Sequence, residues 1–223
     1  IAMTNISSAV LLFSTCLVVL FIGRVPLKFI AMLLIIGGFS GMIAFQFGQR
    51  GGTAVSRVEV FFGDEIPYQA QQGYAAIATG GLFGKGPGQS DQRNFLPSAY
   101  SDFIYAIIIE EYGFVGGIIV IFLYLGLLYR GMKATAHSET AYGGLLVSGL
   151  VFSIIFQAMI NIGVTLGLGP ITGVTLPLLS MGGTSQLFFG IAIGMILSVT
   201  QGELSSFPMG VKGNQSKKFE RVA

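Results

Sequence analysis

The chain has 223 residues, 52% of them hydrophobic and only 10% charged, with a formal net charge of +2. A soluble domain carries roughly a quarter charged residues, so this composition and a mean hydropathy of +0.77 exclude an ordinary water-soluble fold. The small net charge carries no information about a partner by itself, and no nucleic-acid partner is expected.

Apolar runs of helical length predict five membrane spans, at about 6–22, 27–47, 103–129, 141–166 and 184–200. Helices satisfy their backbone groups internally, as lipid requires. The runs are continuous rather than alternating, which argues against a barrel. The fold class expected is therefore all-α, a polytopic helical bundle. The chain begins Ile-Ala-Met with no charged start, and is expected to be the C-terminal part of a longer protein. Cys16 in the first span has no second cysteine to pair with. Small residues such as Gly37, Gly38 and Gly41 in the second span allow close helix approach.

Between spans two and three lies a long segment, about 48–101. The run YQAQQGYAAIATGG (residues 68–81) predicts a short helix ending at Gly80 and Gly81, followed by a glycine-rich turn. GLFGKGPG, residues 81–88, could cradle a phosphate with backbone N–H groups beside Lys85. It lacks the P-loop's spacing and hydroxyl, and a tight surface turn is the plainer reading. Arg93 is open in the same way, between an anionic substrate and a lipid headgroup.

Pro97 disfavours helix before it, and Ser98 or Ser101 could cap the helix that follows. Asp102 then falls in the first turn of span three, where the helix dipole favours its ionised form. A carboxylate at a membrane boundary marks a site by default, although an aspartate at a helix start is also common. Glu110 lies eight residues on, about 12 Å deeper and roughly 80° around a regular helix, with Glu111 nearly opposite Asp102. Glu110 is thus the better candidate to share a cavity with Asp102, and Glu111 to pair with a neighbouring helix. His137, without ligand partners nearby, reads as a solvated histidine after this span.

From Thr140 to Gly202 there is no Asp, Glu, Lys or Arg. Inside that stretch GLGPITGVTLPLLSMGGTS, residues 167–185, predicts broken backbone at membrane depth. Such backbone is tolerated only when buried in protein or lining a wet cavity; a tight helix–helix corner capped by Thr184 or Ser185 is the alternative. Residues 203–223 form a polar, basic tail.

Arg24, Lys28, Arg130, Lys133 and the four basic residues of the tail fall on one side of the five-span arrangement, which should be cytoplasmic. The long segment, Asp102 and the 167–185 connection then share the outer face. A site facing the periplasm or cell exterior follows from orientation.

LPSAYSDFIYAIIIEEYG (96–113) is similar to the pattern LPxxxTDFIFAxxxEELG of the SEDS family (shape, elongation, division and sporulation), to which FtsW, RodA and SpoVE belong. GPITGVTLPLLSMGGTS (169–185) resembles the family's second signature. TNISSAVLLF (4–13) resembles the segment that opens its sixth of ten spans. The resemblance covers nearly the whole chain except the tail, and GPGQSDQRNFLPSAYSDF with FIGRVPLK looks more division-type than elongation-type. The chain departs from the family at Tyr100-Ser101, where many members have His-Thr, and at Tyr112 in place of Leu.

The resemblance implies the C-terminal half of a peptidoglycan glycosyltransferase, multi-pass in the bacterial inner membrane and inactive as a half alone. The reaction implied polymerises lipid II onto a nascent glycan strand during septal wall synthesis and releases undecaprenyl pyrophosphate. Asp102 aligns with the family's essential aspartate, as general base or as ligand to a divalent cation, magnesium or manganese; no organic cofactor is implied. Lys85 and Arg93 are the candidates for the pyrophosphate, Ser180, Thr184 and Ser185 for further substrate contact, with Glu110 and Glu111 supporting. The implied partners are a class B penicillin-binding protein, other divisome proteins and membrane lipid. A lipid-linked precursor flippase and a non-catalytic scaffold are the alternatives.

Overall fold

The computed structural model describes residues 6–47, 61–63, 66–96, 100–138 and 140–206. Six α-helices follow one another there: α1 (Ile6–Ile22), α2 (Leu27–Phe47), α3 (Tyr68–Gly80), α4 (Ile104–His137), α5 (Ala141–Thr165) and α6 (Gly183–Ser206), with a 3-10 turn at Gln92–Asn94. No strand occurs among the described residues, and the fold is all-α. By length and composition α4, α5 and residues 183–200 of α6 can each cross a membrane. The apolar helices α1 and α2, of 17 and 21 residues, precede them; at 1.5 Å per residue they are about 25 and 31 Å long.

The core sits where α4 packs on α5. Tyr105, Ile109, Val120 and Tyr124 of α4 meet Val147, Val151, Ile154 and Ala158 of α5, with Ala192 and Ile196 of α6 closing one side. Helix α3 packs on α4 and α1 packs on α5. The opposite faces expose large apolar side chains, among them Ile35, Phe39, Phe122 and Leu123. Contiguous apolar surface on this scale is what a lipid-facing helix presents.

Three boundaries differ from the sequence expectation. Helix α4 starts at Ile104, with Phe103 at the N-cap and no side-chain cap, so Asp102 lies in the preceding turn and not in the first helical turn. Ser101 uses its hydroxyl on Asp102 itself rather than on a helix N–H; Pro97 and Ser98 are outside the described residues. At its other end α4 continues past Tyr129 through Arg130 and Lys133, and His137 is its last residue, not part of a loop. Helix α6 likewise runs to Ser206, and the basic residues of the tail lie outside the described residues. The next start is conventional: Thr140 caps α5 by accepting from Gly143 N at 3.1 Å.

Candidate functional site

Helix α4 is interrupted nine residues after its start, at Gly113 (φ 71°, ψ −173°). This conformation is open essentially to glycine alone. A regular helix would pair the Glu110 carbonyl with Phe114 N and the Glu111 carbonyl with Val115 N. The glycine-rich loop takes all four groups instead. Lys85 N donates to Glu110 O (2.9 Å) and Gly86 N to Glu111 O (3.0 Å), while Phe114 N and Val115 N donate to Gly81 O (2.9 Å) and Leu82 O (3.3 Å). Re-pairing these four backbone groups is what lets a broken helix survive in lipid.

The short helix α3 ends at Gly80 with Gly81 at its C-cap, as predicted. The phosphate-cradle reading of the loop is corrected, because the Lys85 and Gly86 amides already donate to α4. Approach is close enough to need glycine at Gly84, where an added Cβ would lie 2.2 Å from the Glu111 carbonyl oxygen.

The same loop carries a buried ion pair. Glu110 is fully buried, and its carboxylate receives Lys85 Nζ at 2.8 Å, Ser90 Oγ at 2.5 Å and Asp91 N at 3.2 Å. Lys85 also meets Asp91 at 2.9 Å. The Glu110 hydrogen bond first, and that of Asp91 second, hold the Lys85 ammonium above its ordinary value, so it remains a cation. Glu110 therefore anchors the outer loop instead of sharing a cavity with Asp102, and Lys85 faces two carboxylates rather than an open site.

Removing one member of a buried pair strands the other. Lys85→Ala should therefore lower the melting temperature of the detergent-solubilised protein. The double variant Lys85→Met, Glu110→Gln should recover part of the loss. Equal melting temperatures for wild type and Lys85→Ala would show that the pair does not hold the loop.

Asp102 is half-buried, and its carboxylate accepts from the Ser101 hydroxyl at 3.0 Å. Its position is fixed through the main chain. Three successive carbonyls are each held by a different group: Tyr100 O by Met181 N (2.8 Å), Ser101 O by Ser180 Oγ (2.5 Å) and Asp102 O by Asn161 Nδ2 (2.8 Å). All three donors come from α5 or from the irregular segment 166–182, which is broken as predicted.

That segment is itself tied down. Asn161 Nδ2 also reaches Val174 O at 2.7 Å, Gln157 Nε2 reaches Thr175 O at 3.0 Å, and the Tyr124 hydroxyl donates to Pro177 O. Gly173, with φ 67°, passes beside the carboxylate: a Cβ there would sit 3.7 Å from Asp102 Oδ2.

The other predicted site residues separate. Ser180 is buried and spends its hydroxyl on Leu176 N and Ser101 O, so it shapes the Asp102 turn and is not available to a substrate. Thr184 is exposed. Ser185, with Gly173, Thr175, Gln157, Thr15 and Leu145, lines a cavity of about 840 Å³ between α1 and α5. Arg93 is exposed, with its guanidinium 4.9 Å over the Tyr100 ring, two residues from Asp102. Glu111 is half-buried on the outer side of the Gly113 kink.

Among the described residues no group of three or more His, Cys, Asp or Glu side chains is placed to hold a metal. A divalent cation at Asp102 would thus have at most two such side chains from the described residues. Magnesium is commonly held by one or two carboxylates together with substrate phosphates, and a single carboxylate fits that pattern.

Sequence reasoning missed Asn161 and Gln157. Both lie in the charge-free span, four residues apart and so on one helix face. A pair of amides at that spacing in an otherwise apolar helix was the available signal.

A family model described as "Cell cycle protein", FTSW_RODA_SPOVE, matches residues 1–204. The chain is 36% identical over 205 residues to Stage V sporulation protein E of Bacillus subtilis (strain 168), covering 88% of this chain and 55% of that protein. It is 38% identical over 152 residues to the Probable peptidoglycan glycosyltransferase FtsW of Enterococcus hirae, covering 68% and 38%. Among solved structures it resembles a chain from "Structural coordination of polymerization and crosslinking by a peptidoglycan synthase complex". That match has a TM-score of 0.67 and 25% identity, and covers 89% of this chain and 56% of that one. The chain spans about half the length of the curated relatives it matches.

Proposed function

This chain belongs to the FtsW, RodA and SpoVE family of cell cycle proteins, and from that premise we propose that it carries the catalytic aspartate of a lipid II polymerase acting in septal wall synthesis. One observation carries the reading. Asp102 is a half-buried carboxylate held at the end of a membrane helix by three consecutive carbonyl clamps from other elements, an investment in position that a solvated helix start does not need.

In the proposed reaction the GlcNAc 4-hydroxyl of one chain attacks the anomeric carbon of the donor MurNAc, and undecaprenyl pyrophosphate leaves. Asp102 lies ready to take the hydroxyl proton or to hold a divalent cation, which when bound would supply electrostatic stabilisation of the leaving pyrophosphate. Arg93, stacked on Tyr100 beside the Asp102 turn, is proposed to meet pyrophosphate oxygens. Ser185, on the cavity wall that includes Gly173, and the exposed Thr184 are proposed as further substrate contacts. The crosslinking partner proposed is a class B penicillin-binding protein, a reading supported by the likeness to a peptidoglycan synthase complex.

The test is the intact protein, purified with its transpeptidase partner and given lipid II in detergent or liposomes. Glycan polymer that requires Asp102 is the expected product. Lipid II crossing the bilayer without polymer would make the protein a flippase, and neither activity would leave a scaffold.

The site is proposed to face outward, because Arg24, Lys28, Arg130 and Lys133 share the opposite side of the bundle. A cysteine at Gln89 should then react with an impermeant thiol reagent in cells with a permeabilised outer layer, and one at Ser138 should not. The reverse pattern would invert the topology.

A further inference from the structure

We infer that Asn161 is a positioning residue for Asp102, fixing the carboxylate through its main chain; this deepens the glycosyltransferase reading and rests on it. Asn161 is 3% exposed, four residues before the end of an apolar helix, where a polar side chain is costly and seldom incidental. Both hydrogens of its amide leave the helix. One goes to Asp102 O at 2.8 Å and the other to Val174 O at 2.7 Å. Its Oδ1 is buried without a donor.

That pattern fixes the orientation of the amide. A flipped side chain would set its oxygen against two carbonyl oxygens. It also shows which half of the side chain the site uses. A leucine has the same branched skeleton and would spare α5 an unpaired acceptor, so burial alone gives no reason for an asparagine. What the asparagine alone supplies is a two-pronged donor joining the Asp102 carbonyl to the strand of chain that passes beside the carboxylate at Gly173.

The companion clamps at Tyr100 and Ser101 act two and one residues upstream, respectively. Asn161 is the group that holds residue 102 itself. Its own helix does not depend on that bond: Thr165 Oγ1 donates to Asn161 O at 2.8 Å within α5.

A catalytic group must be held within about 0.5 Å of its productive place, and a displacement near 1 Å can cost about a hundredfold in rate. Asn161→Leu should therefore reduce kcat about tenfold to a hundredfold and leave the KM for lipid II unchanged, since Asn161 is buried and makes both amide bonds within the protein. The experiment uses the intact protein with its transpeptidase partner. Wild type, Asn161→Leu, Asn161→Ala and Asp102→Asn are compared, with kcat referred to the concentration of lipid II binding sites so that unfolded protein is not counted.

A selective fall in kcat per site in a variant that melts like wild type supports the assignment. Wild-type kcat overturns it. A loss expressed only in KM makes Asn161 a substrate contact and overturns it too. If neither Asn161 variant folds, the residue serves the fold and the inference is wrong. Polymer formed equally well by wild type and Asp102→Asn would instead sink the catalytic reading, and this inference with it.

Discussion

Asp102→Asn should abolish glycan polymerisation, with a loss of about a hundredfold to ten-thousandfold for a general base, while folding and partner binding stay intact. The structure explains why the two effects separate. The turn is held through the carbonyls of Tyr100, Ser101 and Asp102, which asparagine keeps. Among the described residues the carboxylate itself accepts only from the neighbouring Ser101 hydroxyl, and an amide oxygen can accept the same bond. Charge and basicity are lost and the scaffold is retained.

Glu110→Gln and Glu111→Gln form the internal controls. Glu110→Gln should lower stability, since it removes the charge from a fully buried carboxylate that receives Lys85, Ser90 and Asp91. Glu111→Gln should have the mildest effect of the three. Initial polymer yield from lipid II and a thermal melt on each variant suffice. Near-normal polymer from Asp102→Asn would show that the carboxylate takes no part in the chemistry.

What could be read from the sequence was what depends on local composition. Continuous apolar runs gave the apolar helices, and paired glycines gave the end of α3 at Gly80 with Gly81 as its C-cap. Proline and glycine crowding gave the irregular segment before α6. What could not be read depends on which distant backbone groups find each other. Counting angles from Asp102 to Glu110 assumed one regular helix, yet Asp102 lies before its start; the interruption at Gly113, just beyond the glutamates, was not foreseen either. Nothing in EEYGF by itself distinguishes a glycine that completes a helical turn from one that breaks it.

Lys85 was misjudged for a related reason. A lysine among glycines suggests a phosphate site, but its partner stands 25 residues away on another element. Ser180 looked available for a substrate, and its hydroxyl proves to be bonded across 79 residues to the Ser101 carbonyl. In each case a polar group had been offered to a ligand, and the chain itself bonds it. Low-dielectric surroundings make an unpaired polar group expensive, so such groups go first to the fold, and a free one is the informative exception. The Asp102 carboxylate receives the Ser101 hydroxyl and no cation from the described residues.

Gly113→Ala tests the joint that connects the outer loop to the membrane helix. At φ 71° and ψ −173° an alanine is strained by about 1–3 kcal/mol from its backbone alone. Its Cβ would also stand 2.2 Å from the Leu82 carbonyl oxygen and 2.5 Å from Phe83 N. Both are backbone atoms, so no side chain can swing away to make room. The loop must withdraw from α4, which leaves Glu110 O, Glu111 O, Phe114 N and Val115 N without partners, or the helix must straighten through the kink.

A straightened helix would recover the bonds from Phe114 N to Glu110 O and from Val115 N to Glu111 O. It would leave the loop groups of Gly81, Leu82, Lys85 and Gly86 unsatisfied, and would displace Lys85 from Glu110. Either route should lower the melting temperature markedly and expose the 81–88 loop to proteolysis. Gly84→Ala should reproduce the defect from the other side, since its Cβ would meet the Glu111 carbonyl oxygen at 2.2 Å. Gly88→Ala should be far milder: its φ of 74° is also left-handed, but no atom stands within 4 Å of the added carbon. Equal tolerance of alanine at positions 84, 88 and 113 would mean that positive φ alone matters there and that the loop is not locked against the helix.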